Sequence, residues 1–140
     1  MDHLTSLTGF DAADLLMFAR EAAEATHSPY SHFPVGAVAC FEKDTFHPGA
    51  NIENASSGLT VCAERVAIFS GLMRHRDDRK LLAIAVSCLK GDPNDENSCM
   101  PCGACRQVIQ EFATPETIVL VDKIGIFTIE DLLPRAFKLP

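Results

Sequence analysis

The sequence has little positive charge and no basic cluster. Its 140 residues include 12 Lys and Arg against 19 Asp and Glu, which gives a formal net charge of −7. Proteins that bind nucleic acids need clustered Lys and Arg to displace counterions from the phosphates. The most basic stretch, residues 74–80, also contains Asp77 and Asp78, which indicates a solvated helix end. We therefore expect no nucleic-acid partner.

Long apolar runs and an export signal are also absent. The longest apolar run, residues 81–89, has about half the length needed to cross a bilayer and contains Ser87, so it predicts a buried strand and no membrane partner. The first residues have neither a basic leader nor an apolar stretch of signal-peptide length. We expect a cytoplasmic protein, in which six cysteines indicate a reducing compartment and metal ligation rather than a disulfide framework.

The apolar residues, 47% of the chain, are distributed over alternating helical and extended patterns without a linker or an internal repeat. We predict a single domain over residues 1–140, with helices at residues 12–26, 62–73, 104–112 and 129–133 and strands at residues 35–41, near 45, 81–89, 117–121 and 124–127. Only a few residues separate the last two strands, which must therefore be antiparallel. The predicted fold is α/β, with a mixed five-stranded sheet layered with helices.

Two short segments contain the residues with the most distinctive chemistry. Cys62-Ala63-Glu64 and Pro101-Cys102-Gly103-Ala104-Cys105 supply three thiolates and a carboxylate at helix starts. Three protein ligands on zinc leave the fourth position for water, as in catalytic sites, whereas structural sites use four ligands. Glu64 lies two residues after a ligand and can act as a general acid and base. A helix-capping role fits less well, because a box starting at Thr60 would use Ala63.

The other three cysteines have alternative interpretations. Cys40 and Cys88 lie in predicted strands, where a free cysteine usually packs as a small buried hydrophobe. Cys99 forms a second C-x-x-C with Cys102, so a closed four-cysteine metal site or an iron–sulfur cluster is an alternative. Pro101 opposes this alternative, because it disfavours a helical turn at the preceding residue and directs Cys99 away.

Together with the segment from Pro101 to Cys105, four motifs, one of which contains Cys62-Ala63-Glu64, resemble the cytidine deaminases, specifically the small branch that acts on free nucleosides. They occur in the order of that family and cover nearly the whole chain: residues 30–37 (YSHFPVGA), 51–56 (NIENAS), 59–65 (LTVCAER) and 132–137 (LLPRAF). The resemblance implies a three-layer fold with helices on both faces of the sheet. It also implies one zinc ion per chain, held by Cys62, Cys102 and Cys105, with Glu64 transferring protons.

The resemblance also implies roles for residues around the metal. Arg65 is expected to withdraw charge from the thiolates, and Phe33 to pack on the base. The Ala63 backbone is expected to read the base edge. Asn51 and Glu53 correspond to residues that hold the ribose hydroxyls. A carboxylate at residue 53 would repel a nearby 5′-phosphate, which favours a nucleoside over a nucleotide.

The implied activity is the hydrolytic deamination of cytidine and deoxycytidine to uridine and deoxyuridine, in pyrimidine salvage. Phe137 matches a residue that enters the pocket of a neighbouring subunit, so the resemblance implies a homotetramer. Ser57 departs from the family, which often has a tyrosine there. Two alternatives remain open: an enzyme for a modified cytosine nucleoside, of the blasticidin S or N4-substituted type, and a non-catalytic four-cysteine metal module that includes Cys99.

Overall fold

A mixed five-stranded sheet forms the centre of the protein in a computed structural model that describes residues 2–140. The strands are β1 (Val35–Cys40), β2 (His47–Ala50), β3 (Leu81–Cys88), β4 (Ala113–Val121) and β5 (Gly125–Phe127). Their order is β2-β1-β3-β4-β5. Of the four pairs of neighbouring strands, β3 with β4 is parallel and the other three are antiparallel. The predicted antiparallel pairing of β4 with β5 is confirmed.

Helices cover both faces of this sheet. They are α1 (His3–Thr8), α2 (Ala12–Ala23), α3 (Ala63–Leu72), α4 (Gly103–Phe112) and α5 (Ile129–Leu132), with a 3-10 helix at Ser57–Leu59. The helices α2 and α5 begin with capping boxes, in which the side chains of Asp11 and Thr128 accept hydrogen bonds from residues three positions later. None of the helices within residues 2–140 combines the length and the apolar character that crossing a membrane requires.

Alternating residues of the strands divide the core into two layers. On one face, Val38 and Ala85 pack with α1 and α2. On the other face, Ala39 and Val86 pack with α3, α4 and α5. This alternation follows from the two-residue period of a strand. The predicted three-layer α/β fold is therefore confirmed.

The structure differs from the sequence predictions in three places. The helix α1 was not predicted, although Asp2 caps its start and Gly9, at φ 82°, ends it in the left-handed conformation. The strand β4 begins at Ala113 rather than at residue 117, because Ala113 pairs with Leu81 before a register shift. The strand β2 lies at His47–Ala50, slightly later than predicted, and includes Pro48 at the sheet edge.

Cys88 and Cys99 form a disulfide, so the prediction that Cys88 is a free cysteine is wrong, although the residue is buried as predicted. Their Cα atoms are 5.6 Å apart, within the range that a disulfide spans. Cys88 ends β3, and the loop that follows it returns Cys99 to the same part of the core. This return depends on the path of a surface loop, which hydropathy patterns do not specify.

Gly49 allows the edge strand β2 to lie against the start of α3. A Cβ atom at this position would come within 2.4 Å of the Ala67 nitrogen and 2.7 Å of the Ala63 oxygen. Only glycine permits such a close approach of two backbones. The first turn of α3, which follows Cys62, is thereby fixed against the sheet.

Candidate metal centre and active site

Three cysteine sulfurs meet where α3 and α4 begin. Cys62 and Cys102 are the N-cap residues of these helices, and Cys105 lies in the first turn of α4. The three Sγ atoms lie within 4.8 Å of one another, and the Cys62 and Cys102 sulfurs are 3.8 Å apart. Cys105 is buried, whereas Cys102 is exposed. The cluster therefore has one side in the core and one side open to solvent.

The spacing of the sulfurs suits a tetrahedral zinc ion. Zinc–sulfur bonds of about 2.3 Å place two tetrahedral ligands about 3.8 Å apart, which is the separation of the Cys62 and Cys102 sulfurs. The N–H groups at the starts of two helices lie on the side of the sulfurs and favour negative charge there. Three thiolates therefore fit one zinc ion and leave one coordination position without a cysteine.

The thiols of Cys62 and Cys105 influence each other. A hydrogen bond from Cys105, aided by Arg65, lowers the pKa of Cys62 to about 5. The same hydrogen bond, together with burial, raises the pKa of Cys105 above its usual range. Two adjacent thiolates without a cation repel each other, so one proton stays between them. A divalent cation would release that proton and bind both sulfurs.

Arg65 provides positive charge next to the first of these cysteines. Its Nη2 atom donates a hydrogen bond of 3.5 Å to the Cys62 sulfur, which is the main reason that the pKa of Arg65 is raised. Its Nε atom is buried and has no hydrogen-bond partner among residues 2–140. The guanidinium therefore lies where it can withdraw charge from a thiolate.

Glu64 combines a carboxyl group with almost complete burial. The residue is 5% exposed and lies in the first turn of α3, two positions after Cys62. Burial raises the pKa of Glu64 to about 7. A carboxyl group with this pKa can both accept and donate a proton near neutral pH. Burial of a carboxyl group that forms no salt bridge within residues 2–140 is costly in a structural role, which makes a chemical role the better explanation.

A two-residue β-bridge joins the Asn51-Ile52-Glu53 segment to the metal centre. Ile52 and Val61 exchange both backbone hydrogen bonds, each 2.9 Å long. Val61 directly precedes Cys62. Asn51 and Glu53 flank Ile52, and Ile52 is paired with the residue that precedes Cys62. The bridge therefore fixes the Asn51–Glu53 segment next to the start of α3.

Polar side chains hold the loop that contains Phe33. The Asn51 amide bonds the loop on both sides of Pro34, because Nδ2 donates to the Phe33 oxygen at 2.8 Å and Oδ1 accepts from the Val35 nitrogen at 3.0 Å. Oε1 of Glu53 accepts hydrogen bonds from the Tyr30 and Ser31 nitrogens, at 3.0 and 3.1 Å. These bonds to the loop, chiefly those from Ser31, lower the pKa of Glu53. Residues expected to contact ribose thus also position the loop.

Lys90 is a member of this arrangement that the sequence did not reveal. Its Nζ atom donates a hydrogen bond of 2.6 Å to the His32 oxygen, and His32 has the positive φ of 54° that such a tight loop requires. The two residues are 58 positions apart, and no local pattern connects them. The sequence predicted only that a strand ends at residue 89, which places residue 90 just after the end of that strand.

The remaining predicted residues have contrasting surroundings. Ala63 is completely buried and is the first residue of α3, so its backbone N–H belongs to the helix start. Phe33 packs against the core cluster that also contains Ala63. Phe137 is 68% exposed, and its carbonyl oxygen accepts a hydrogen bond from Gln107 on α4. Within one chain, the Phe137 side chain is therefore not enclosed by the core.

Cys99 does not belong to the sulfur cluster. It is 5% exposed and bonded to Cys88, whereas the cluster consists of Cys62, Cys102 and Cys105. The closed four-cysteine site therefore lacks its fourth ligand in this structure. The open arrangement, with a carboxyl group beside three cysteines, has the composition of a catalytic zinc site of the base-deaminase class.

Comparisons with known proteins define the family within this class. The family model described as "Cytidine and deoxycytidylate deaminase zinc-binding region" matches residues 11–121. A cytidine deaminase from Halalkalibacterium halodurans is 40% identical over 131 residues, which cover 91% of this chain and 94% of that protein. A cytidine deaminase from Sporosarcina psychrophila is 38% identical over 132 residues, which cover 91% of this chain and 92% of that protein.

Solved structures agree with these sequence matches. The crystal structure of cytidine deaminase from Burkholderia pseudomallei matches with a TM-score of 0.77 and 37% identity, and covers 91% of this chain and 100% of its own. The cytidine deaminase structure from Mycobacterium tuberculosis gives a TM-score of 0.75 and 35% identity, with coverages of 93% and 99%. The chain belongs to the cytidine and deoxycytidylate deaminase family, and its cofactor is one zinc ion held by the cysteine cluster.

Proposed function

We propose that this chain, as one domain over residues 1–140, hydrolyses cytidine and deoxycytidine to uridine and deoxyuridine with release of ammonia. The observation that carries this proposal is the buried carboxyl group of Glu64 beside three cysteine sulfurs that fit one zinc ion. A structural zinc site would need a fourth protein ligand and would have no use for that carboxyl group. The similarity to cytidine deaminases over most of the chain supports the substrate.

Glu64 is the proposed carrier of protons in the reaction. When bound, zinc supplies the Lewis acidity that makes water a nucleophile near neutral pH. Glu64 takes a proton from the attacking water and passes it to N3 of the cytosine ring. The water oxygen bonds to C4, and Glu64 moves the remaining proton of that oxygen to the C4 amino group. The C4–N bond then breaks and ammonia leaves. The pKa of Glu64, about 7, suits a group that both accepts and donates protons.

The proposed substrate pocket uses the residues around the Phe33 loop. Phe33 packs on the base, and the N–H group of Ala63 at the start of α3 reads the base edge. Asn51 and Glu53 hold the ribose hydroxyls. Both loop bonds to Glu53 use Oε1, which leaves the lone pairs of the other oxygen for a hydroxyl. The negative charge of Glu53 disfavours a 5′-phosphate and therefore a nucleotide substrate.

The proposed assembly is a homotetramer in which Phe137 closes the pocket of a neighbouring subunit. The observation that favours this role is the 68% exposure of a phenylalanine near the end of the chain. A group of exposed large apolar side chains that form one patch indicates a surface that contacts another protein. Met73, 71% exposed on the C-terminal side of α3, and Leu139, 80% exposed, are further apolar groups available to such contacts. We place the enzyme in cytoplasmic pyrimidine salvage.

A second candidate keeps the same chemistry with a bulkier substrate. Ser57, exposed in the 3-10 helix, stands where related enzymes often have a tyrosine, and a smaller side chain leaves more room at the pocket rim. An N4-substituted cytidine or a blasticidin S type nucleoside would use that room.

A substrate panel tests both candidates. Zinc-loaded protein is incubated with cytidine, deoxycytidine, cytidine 5′-monophosphate, N4-methylcytidine and blasticidin S, and ammonia or methylamine release is measured. The proposal predicts the highest kcat/KM for cytidine and deoxycytidine, with the nucleotide lower by at least tenfold. Glu64→Gln protein with the same zinc content serves as the inactive control. No release from any cytosine nucleoside by zinc-loaded protein would contradict the proposed function, and preference for a bulky substrate would favour the second candidate.

A further inference from the structure

The disulfide between Cys88 and Cys99 lies next to both halves of the active site. Cys88 is the last residue of β3, and Cys99 lies three positions before the metal ligand Cys102. The two cysteines are 6% and 5% exposed and share a core cluster with Ala63. The bond therefore links the end of a central strand to the segment that leads into the metal centre.

The strand end at Cys88 is also connected to the loop that contains Phe33. Cys88 pairs with Val35 in the sheet, and the Leu89 nitrogen donates to the Pro34 oxygen at 3.2 Å. Lys90 donates to the His32 oxygen at 2.6 Å. The disulfide thus ties the end of β3, which holds the Phe33 loop by hydrogen bonds, to Cys99 and through Met100 and Pro101 to Cys102.

The metal-binding side of the bond is held mainly by packing, because Cys99 lies in the core cluster and Met100 packs against it. Pro101 is buried, and its oxygen accepts a hydrogen bond of 2.7 Å from Arg106 on α4. Before it, residues 92–97 are exposed and bond mainly among themselves and with Ser98. Because this surface loop bonds mainly to itself, packing alone would fix the position of Cys99 if the disulfide were absent.

We infer that Cys88 and Cys99 form a redox-controlled crosslink that slows the loss of zinc from the site. This inference rests on the zinc site of the proposed function. Oxidation by a low-molecular-weight disulfide such as glutathione disulfide begins when one cysteine thiolate attacks it, forming a mixed disulfide and releasing one glutathione. The other cysteine then displaces the second glutathione and forms the Sγ–Sγ bond. Two protein thiols lose two electrons, and glutathione disulfide gains them as two thiols.

The consequence for zinc follows from restricting the chain. A crosslink over a sequence separation of 11 holds Cys99 at the end of β3. It removes conformations in which residues 100–102 move away from β3 and carry Cys102 away from Cys62. Zinc leaves when ligands dissociate in turn, so fewer displaced conformations mean slower release. Outer groups that orient metal ligands typically change metal affinity by about 10- to 100-fold. The reduced protein still holds zinc, because all three ligands are retained.

The experiment compares zinc release from oxidised and reduced protein. Zinc-loaded protein is equilibrated with glutathione disulfide or with a phosphine reductant, desalted, and mixed with a chromogenic zinc chelator. In parallel, denatured samples are alkylated and mapped by peptide mass. We expect a Cys88–Cys99 linked peptide and four alkylated cysteines in the oxidised protein, against six in the reduced protein. We expect zinc release from the reduced protein to be about tenfold faster.

Matched variants separate the crosslink from a general effect of reduction. Cys88→Ala and Cys99→Ala should release zinc at the fast rate in both redox states, whereas Cys40→Ala, a buried cysteine on the opposite face of the sheet, should respond to reduction as the wild type does. Circular dichroism spectra establish whether each variant is folded. If a variant does not fold, the comparison of oxidised with reduced wild type still tests the inference. Equal release rates from oxidised and reduced wild type, or six free thiols after oxidation, would overturn the inference. Absence of zinc from every sample would instead contradict the proposed function.

Discussion

The side-chain amide of Asn51 donates a hydrogen bond of 2.8 Å to the backbone oxygen of Phe33. The same amide accepts a hydrogen bond from the Val35 nitrogen, so one side chain fixes the backbone on both sides of Pro34. Asn51 was predicted from sequence as a ribose-binding residue only. Its hydrogen bonds in the structure show that it holds this loop, on which the position of the Phe33 ring depends.

Replacement of Asn51 by alanine should therefore affect both stability and substrate binding. Asn51 is 9% exposed, and its loss would leave the Val35 N–H and the Phe33 oxygen without this partner, at a cost of about 1–3 kcal/mol in the free energy of unfolding. We expect a raised KM as well, measured with cytidine. The control is Asn54→Ala, because Asn54 is exposed and caps only the local turn at Ser56. Equal behaviour of the two variants would contradict the role of Asn51 in holding the loop.

The three cysteines of the sulfur cluster should be individually necessary for zinc. Cys62→Ala, Cys102→Ala and Cys105→Ala should each lose the metal and unfold more easily, because two thiolates hold zinc far more weakly than three. Metal content by atomic emission and thermal unfolding measure these effects. Cys40→Ala and Cys99→Ala should keep about one zinc ion per chain, since neither sulfur belongs to the cluster. Zinc loss in Cys99→Ala would instead favour the four-cysteine site.

Asp122 predicts a dependence of stability on pH. Burial alone would raise its pKa, but hydrogen bonds from Arg20 and Ser87 outweigh burial, and the pKa of Asp122 is lowered. A carboxyl group whose pKa is lowered by folding stabilises the protein above its unfolded pKa of about 3.9. That stabilisation is lost as the pH falls through the lowered value.

Asp122→Asn should therefore destabilise the protein at pH 7 and much less at low pH. We expect a loss of about 1–3 kcal/mol at pH 7, toward the lower end because Arg20 is half exposed. Denaturant unfolding between pH 2.5 and 7 measures it, with Asp77→Asn, at an exposed position, as the control. A difference between wild type and Asp122→Asn that stays constant below pH 4 would rule out this explanation.

Phe137 should act on a neighbouring subunit if the proposed tetramer is correct. Phe137→Ala should keep its zinc and raise the KM for cytidine, because an aromatic contact contributes about 0.5–1.5 kcal/mol beyond its buried area. Mixing Glu64→Gln chains with chains truncated before Phe137 should restore activity above either parent, once subunits exchange. Chains with an intact Glu64 would receive Phe137 from their partners. Mixed oligomers without such a rise would show that Phe137 does not act in trans.

Much of the fold could be predicted because its signals are local. Hydropathy periods indicated the central strands, and the helix predicted at residues 129–133 is confirmed as α5, which begins with the Thr128–Asp131 capping box. The helix α1 has only 6 residues, too few for a clear hydropathy period, and was therefore not predicted. The N-terminal half of β4 was missed because Pro115 breaks the apolar pattern before the register shift.

The candidate site was predictable as a set of residues but not as an arrangement. The spacing of Cys62, Cys102 and Cys105 indicated a metal, because the residue types alone limit the chemistry. The disulfide of Cys88 and Cys99 and the bond from Lys90 to His32 depend on tertiary contacts between segments that carry no pairing signal. Such contacts become visible only once the sheet has brought the segments together.

The most direct test of the account is the turnover of zinc-loaded Glu64→Gln protein. Glutamine keeps the size of the side chain but neither accepts nor releases a proton near neutral pH, so both proton transfers lose their carrier. Each transfer typically contributes about 10²- to 10⁴-fold to the rate. The account predicts a folded protein with about one zinc ion per chain and a kcat for cytidine lower by several orders of magnitude. A kcat near that of the wild type, in protein shown to hold its zinc, would contradict the account.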